Sequence, residues 1–428
     1  MGDISLVDGW LPWFVVVLCI GTLVLAVRWH SGRWRAQLRW GAVLTIGGVG
    51  LAYLLNETLD LIPWSFPLSF YALAGLVVFA MTAAVVGFRH ERNWKRLDGL
   101  VSVVASLALL GVVVNAHYQY LPTVANLFGK VAENEVGLPE LQQIRDEVRS
   151  TGQLPAKGST LHVAIPGTTS GFDARDAYLY VPPAFFADPA PTLPVLMLLH
   201  GTPGGPEDWL VGGEADQVAD AFAARNDGKA PILVMPDATG GDFADTECVD
   251  SSRGHAETYL TVDVANYVSH TLDVGSSRWG IAGLSMGGFC SLMLSLRHPQ
   301  QFVVFGDYSG LSQPTLDPPD TALADLFGGD QQTMDAHDPT KILAGAHLSG
   351  LAGWFEVGES DSQPLEATRA VATQATQAGI TACLLVRSGG HDFAFWHQAL
   401  ENSLPWISTQ LGLLAPPAPT NGARCTGS

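Results

Sequence analysis

Gly283-Leu284-Ser285-Met286-Gly287 is a G-x-S-x-G pentapeptide set between an apolar run, RWGIAG, and a helical pattern, FCSLMLSLRH. A strand that turns this sharply into a helix leaves room only for small residues beside the serine, and it lifts the hydroxyl above the end of a sheet. Such a serine becomes a nucleophile when a base takes its proton and an acid orients that base. The expected chain order is serine, acid, histidine. Ser388-Gly389-Gly390-His391-Asp392-Phe393 follows the last apolar run, TACLLVR, and makes His391 the expected base. His337 and His347 stand before the acid, His298 closes a helix in an HPQ sequence, and His397 falls within the last helical pattern.

The acid is expected after the run LAGWFEV, where Gly358-Glu359-Ser360-Asp361 offers two carboxylates. Asp361 suits the G-x-x-D turn, with Glu359 in reserve. An oxyanion formed at the substrate needs preorganised N–H donors. One is expected at Met286, where a helix begins, and the other in His200-Gly201-Thr202-Pro203-Gly204-Gly205, at Thr202, because Pro203 has no N–H.

These groups need a scaffold. TLHVAI, AYLYVP, PVLMLLH, APILVMP, RWGIAG, FVVFGDYSG, LAGWFEV and TACLLVR alternate with helical patterns near 257–272, after 286 and near 364–378. Continuous apolar strands separated by helices indicate a mainly parallel sheet covered on both faces, hence an α/β class domain, expected over 159–414. A Pro/Ala-rich flexible tail, 415–428, follows it.

The first third differs. Residues 1–129 hold eight Lys/Arg and six Asp/Glu, against 14 and 35 in the remainder. No charge interrupts 9–27, 40–56, 61–88 or 99–129, and a bilayer-spanning helix takes about 20 apolar residues. Four spans are expected within 1–120, followed by a helical stalk over 121–158. Asp3 and Asp8 ahead of the first run do not fit the basic start of a cleaved signal peptide. Arg28, Arg33, Arg35 and Arg39 lie between spans one and two, and Arg89, Arg92, Lys95 and Arg96 between three and four. By the positive-inside rule these loops are cytoplasmic, so the N-terminus and the acidic domain are expected outside the plasma membrane. Tryptophans at 10, 13, 29, 34, 40, 64 and 94 mark span ends, and His117 is the one ionisable group inside the apolar runs. The bundle reads as an anchor in membrane lipid.

The blocks GIAGLSMGGFCSLMLSLRHPQQFVVFGDYSG, LLHGTPGGPEDW, ETYLTVDVANYV, VGESD and GGHDFAFW together resemble the esterase D and antigen 85 branch of the α/β-hydrolases, over about residues 160–410. The resemblance implies that Ser285, Asp361 and His391 are the catalytic triad and that Thr202 and Met286 form the oxyanion hole. It also resembles membrane-tethered actinobacterial esterases. Antigen 85 proteins carry Asp-Gly-Leu-Arg where this chain has His200-Gly201-Thr202-Pro203, use a glutamate acid and are secreted free. Those departures turn the expectation away from trehalose mycolylation.

The expected function is a membrane-anchored serine esterase acting on acyl esters of envelope lipids or glycans. Two alternatives stand beside it: acyl transfer to a carbohydrate or lipid alcohol, and a non-catalytic envelope protein that uses the fold for binding. The acidity excludes nucleic-acid binding, and no metal cluster or phosphate loop points to a cofactor. Residues 311–347 read equally as a lid and as a packed insertion. Among the five cysteines, Cys248 and Cys290 are the expected disulfide, the alternative being free buried thiols, and Cys383 is expected as a buried thiol.

Overall fold

The computed structural model describes residues 4–27, 34–59, 67–88, 93–274, 278–316 and 321–415. The tail beyond 415 and the loops with Arg28, Arg33, Arg89 and Arg92 lie outside the described residues. The chain divides into two compact units, Met1–Gly129 and Lys130–Ser428.

Among the described residues the first unit holds four long helices, α1 (Trp10–Ala26), α2 (Trp34–Leu59), α3 (Leu68–Phe88) and α4 (Asn93–Tyr118), and a single turn of helix at Val124–Leu127. Trp34–Asn56, Leu68–Val86 and Leu97–Tyr118 are long and apolar enough to cross a membrane. α1 is apolar but only 17 residues long, so length and composition support three spans and leave the first below them. Small residues bring the helices close: a Cβ on Gly99 would lie 3.0 Å from Ala84, and buried Gln37 donates from Nε2 to the Ala83 carbonyl at 3.1 Å. The two ends of this unit meet. Leu6 N–H donates to the Pro122 carbonyl at 3.0 Å, and Val124 N–H to the Ile4 carbonyl at 2.9 Å. His117, near the end of α4, is exposed and packs edge-on to Phe70.

The second unit is built on one eight-stranded sheet: β1 (Ser159–Val163), β2 (Ala177–Val181), β3 (Val195–Leu199), β4 (Ile232–Met235), β5 (Trp279–Leu284), β6 (Phe302–Tyr308), β7 (Ala352–Gly358) and β8 (Thr381–Arg387). Its spatial order is β1-β2-β4-β3-β5-β6-β7-β8. β2 pairs antiparallel with both neighbours, and every other pairing is parallel. A fully covered strand sends apolar side chains to both faces, and β3 does so: Val195, Met197 and Leu199 enter one core, Leu196 and Leu198 the other. The first core is closed by helices Val264–Leu272, Met286–Arg297 and Ser362–Gln377, the second by Ala215–Ala224 and Phe393–Gln410.

Residues 130–158, expected as a stalk, cluster with this unit. Leu141 and Val148 of the helix Leu138–Thr151 are in its core, and Glu133 N–H donates to Asp216 at 2.8 Å. Burial pushes the Asp216 carboxyl up to about 6 despite the N–H groups of Glu133 and Gln217. The described part of 311–347 forms three short helices, and Leu316, Leu326, Phe327 and Leu343 enter the core, which favours a packed insertion over a lid.

Candidate active site

Ser285 lies between β5 and the helix Met286–Arg297 with φ 55° and ψ −122°. A side chain there is strained, at a cost on the order of 1–3 kcal/mol, and persists only where neighbours impose it. They do so by proximity. A Cβ on Gly283 would lie 2.1 Å from the Gly287 carbonyl oxygen, and one on Gly287 would lie 2.3 Å from the Leu199 carbonyl oxygen. Ser285 N–H donates to the Tyr308 carbonyl at 2.9 Å, while its own carbonyl accepts from Gly288 and Phe289. The two glycines thus permit, and the hydrogen bonds hold, a turn that leaves the Ser285 side chain at the C-terminal end of the sheet.

His391 stands after β8, opposite that turn. Ser285 Oγ–H donates to His391 Nε2 at 2.9 Å, and His391 Nδ1–H donates to Asp361 Oδ2 at 2.8 Å. Asp361 is the N-cap residue of Ser362–Gln377, yet its side chain makes no cap hydrogen bond and faces His391 instead. A Cβ on Gly358 would lie 2.4 Å from the Gly389 carbonyl oxygen, so the ends of β7 and β8 close tightly beneath the pair. Trp396 packs its edge on the imidazole, ring centroids 4.8 Å apart. The carboxylate in contact with His391 is therefore that of Asp361; Glu359 is exposed and is tied through its backbone N–H to Arg387.

The other histidines are elsewhere. His298 and His337 both reach Glu257, at 2.6 and 3.0 Å, His397 contacts the Gly213 carbonyl at 3.1 Å, and His347 is exposed. Burial works against the Glu257 charge, but bonds from His298, His337 and Arg297 hold its carboxyl well below the usual range.

Met286 opens its helix, where a first-turn N–H has no partner within the helix. The loop after β3 meets the serine from the other side: a Cβ on Gly201 would lie 3.2 Å from Ser285 Cβ. Neither Met286 N–H nor Thr202 N–H has an acceptor among the described residues. Their loop is tied down by groups that no local motif announced. Arg175 donates from Nη2 to the Gly204 carbonyl at 2.9 Å and to Asp237 Oδ1 at 2.8 Å, and it also reaches Asp242. Asp208 accepts from Gly205 N–H, and the Trp209 indole donates to the Leu199 carbonyl, at 3.0 and 2.9 Å. Burial of Asp237 alone would raise its pKa, but hydrogen bonds from the Arg175 side chain and backbone hold the carboxyl below the ordinary range.

Cys248 and Cys290 form a disulfide with Cα atoms 5.8 Å apart. It ties the loop after β4 to the first turns of the Met286 helix, and Cys290 Sγ contacts Met286 Sδ at 3.4 Å. Cys383 was expected as a thiol. It is disulfide-bonded, so burial in β8 does not mean a free sulfur. Among the described residues no group of three or more His, Cys, Asp or Glu side chains could hold a metal ion.

The Esterase family matches residues 173–407, a span that contains every residue of this arrangement. The chain belongs to that family. It is similar to an uncharacterised protein of Corynebacterium glutamicum, 35% identical over 96% of this chain and 98% of the relative. A shorter similarity, 41% identity over 14% of this chain and 18% of the relative, links it to the diacylglycerol acyltransferase/mycolyltransferase Ag85A of Mycobacterium ulcerans. Among solved structures it resembles a ferulic acid esterase, with TM-score 0.51 and 23% identity over 59% of this chain and 98% of that one. The S-formylglutathione hydrolase of Agrobacterium tumefaciens gives TM-score 0.52 at 19% identity, over 61% and 98%. These last two share the α/β-hydrolase fold. As a family, the relatives support esterase or acyltransferase activity for the Esterase domain of this chain.

Proposed function

We propose that the protein is a membrane-anchored serine esterase that hydrolyses acyl esters of envelope lipids or glycans outside the plasma membrane. One observation carries the chemistry: the unbroken contact from Ser285 Oγ through His391 to Asp361, at 2.9 and 2.8 Å. His391 takes the serine proton as Ser285 attacks the ester carbonyl, and Asp361 holds the imidazole tautomer and stabilises the imidazolium. The N–H groups of Thr202 and Met286 stabilise the oxyanion. His391 then gives its proton to the departing alcohol, leaving an acyl-enzyme that water resolves by the reverse path.

The apolar helices support membrane anchoring. The pairing of Ile4–Leu6 with Pro122–Val124 supports an even number of crossings, since it brings the two ends of the unit together. At about 1.5 Å rise per residue, the short α1 reaches most of the way across a hydrocarbon core of roughly 30 Å. The Arg/Lys-rich segments that the sequence places between spans one and two and between three and four support, by the positive-inside rule, an extracytoplasmic N-terminus and Esterase domain.

The test is turnover of a short-chain p-nitrophenyl ester by the detergent-purified full chain. Ser285→Ala and His391→Ala should each reduce it to near background; losses under about tenfold at both positions contradict the assignment.

Acyl transfer to an alcohol is the second reading, favoured by the segment similar to the mycobacterial acyltransferase. It differs only in which hydroxyl attacks the acyl-enzyme. Supplying a carbohydrate or monoacylglycerol acceptor and measuring the ratio of ester product to free acid separates the two.

A further inference from the structure

His200 is wholly buried at the end of β3, one residue before the loop that faces Ser285. Both its ring nitrogens are engaged. Ala238 N–H donates to Nε2 at 3.1 Å, closer than Asp237 Oδ1 at 3.4 Å, so Nε2 acts as the acceptor and Nδ1–H donates to the Gly201 carbonyl at 2.7 Å. The tautomer is set by a backbone group, and the backbone group is itself set. Ala238 lies in a turn wrapped around Asp237, whose carboxylate accepts from Thr239 N–H at 3.0 Å, from Gly240 N–H at 3.1 Å and from Arg175 N–H at 2.8 Å.

A trans peptide is planar, with its C=O and N–H directed oppositely. The Gly201 carbonyl and the Thr202 N–H belong to one such unit. Fastening the carbonyl inward to a buried imidazole turns the N–H outward, on the loop whose Gly201 abuts Ser285. Without that bond the peptide would be free to present its carbonyl oxygen to the developing oxyanion, which repels it. On the far side of the loop, Arg175 holds the Gly204 carbonyl at 2.9 Å, so the segment is fixed at both ends.

We propose that His200 is a positioning residue: its Nδ1–H clamps the Gly201 carbonyl, and this fixes the Thr202 N–H as an oxyanion donor. The proposal rests on the serine esterase reading of the same site. It assigns a catalytic consequence to a side chain that does not touch substrate, and to Arg175 and Asp237 the task of holding the turn that selects its tautomer.

Two substitutions of similar size separate this role from packing. An asparagine amide nitrogen can stand near Nδ1, whereas a glutamine amide nitrogen stands near Nε2. In the full chain, His200→Asn should keep kcat for ester hydrolysis within about tenfold of the parent. His200→Gln should lower kcat by about 100-fold, the scale of losing one oxyanion donor, with KM changed less than about threefold. Equal losses in the two variants, or a fully active His200→Gln, overturn the proposal. Retained activity in Ser285→Ala would instead remove the reading beneath it. Should either histidine variant fail to fold, histidine ¹⁵N spectra of the unmodified protein decide: the proposal requires a persistent Nδ1–H tautomer at the buried histidine between about pH 6 and 9, and an Nε2–H tautomer or an averaging ring refutes it.

Discussion

Cys248 is joined to Cys290, so the loop that follows β4 is fastened to the helix that begins one residue after Ser285. The bridge spans 42 residues of sequence, and Cys290 lies against Met286, whose N–H we assign to the oxyanion site. Closing a loop of this size in the unfolded chain stabilises a fold by about 2–4 kcal/mol. Cys248→Ser should therefore lower the denaturation midpoint of the Esterase domain and reduce ester turnover several-fold, while the protein stays with the membrane. In the unreduced, unfolded protein neither Cys248 nor Cys290 should react with an alkylating reagent. Quantitative alkylation of both would contradict the bridge.

The two acids at the end of β7 make a paired prediction. Asp361 is buried and bonds His391; Glu359 is exposed. Asp361→Ala should lower kcat by 10²-fold or more, because the imidazole loses the group that fixes its tautomer. Glu359→Ala should remain within about twofold. The reverse order of losses would exchange their roles.

Asp307 yields a prediction about pH. It is the penultimate residue of β6 and lies against the first turn of the Met286 helix: a Cβ on Gly288 would lie 2.6 Å from its Oδ1. Oδ1 accepts from Gly310 N–H at 2.8 Å, and Oδ2 has no hydrogen-bond partner among the described residues. Burial pushes this carboxyl up to about 7, against a smaller opposing effect of the Gly310 N–H. Below about pH 4 the folded and unfolded chains both hold its proton. Between about pH 4 and pH 7 only the folded chain does, so stability attributable to Asp307 declines as pH rises through this window and is gone above it. Asp307→Asn should remove that slope and match the parent near pH 4, while exceeding it at pH 8 by on the order of 1–3 kcal/mol. Denaturant midpoints at the two pH values check this, and an equal loss of stability at both would refute it.

Topology is tested by reporter fusions. Fusions ending after Arg39 and Arg96 should report the cytoplasm, and one ending after Leu161 should report the outside. An externally accessible tag at residue 95 would refute the four-crossing arrangement.

What could be read in the sequence was what chain neighbours dictate. Ser285 is framed by glycines that the turn requires within four residues of one another, and VLMLL alternates between two cores with no polar interruption, so both were legible locally. His391 and Asp361 were found by order along the chain rather than by contact. Arg175 was invisible because its partners Gly204 and Asp237 are 29 and 62 residues away and no motif surrounds it. The stalk was misplaced for a related reason: the helical spacing of Leu141 and Val148 shows an apolar stripe but not what covers it, and the Esterase unit does. Cys383 looked like an inert core thiol because burial and pairing are compatible in a strand. α1 exposed the limit of apolar run length, since 9–27 carries no charge while its helix occupies only Trp10–Ala26.

The central claim is that Ser285 is the nucleophile activated by His391. Its most direct test is to treat the full chain in detergent with a fluorophosphonate and locate the adduct by peptide mass spectrometry. One stoichiometric adduct on Ser285 is expected, with at least about 100-fold slower labelling in His391→Ala and none in Ser285→Ala. No adduct in the active parent protein, or an adduct on another residue that persists in Ser285→Ala, would contradict it.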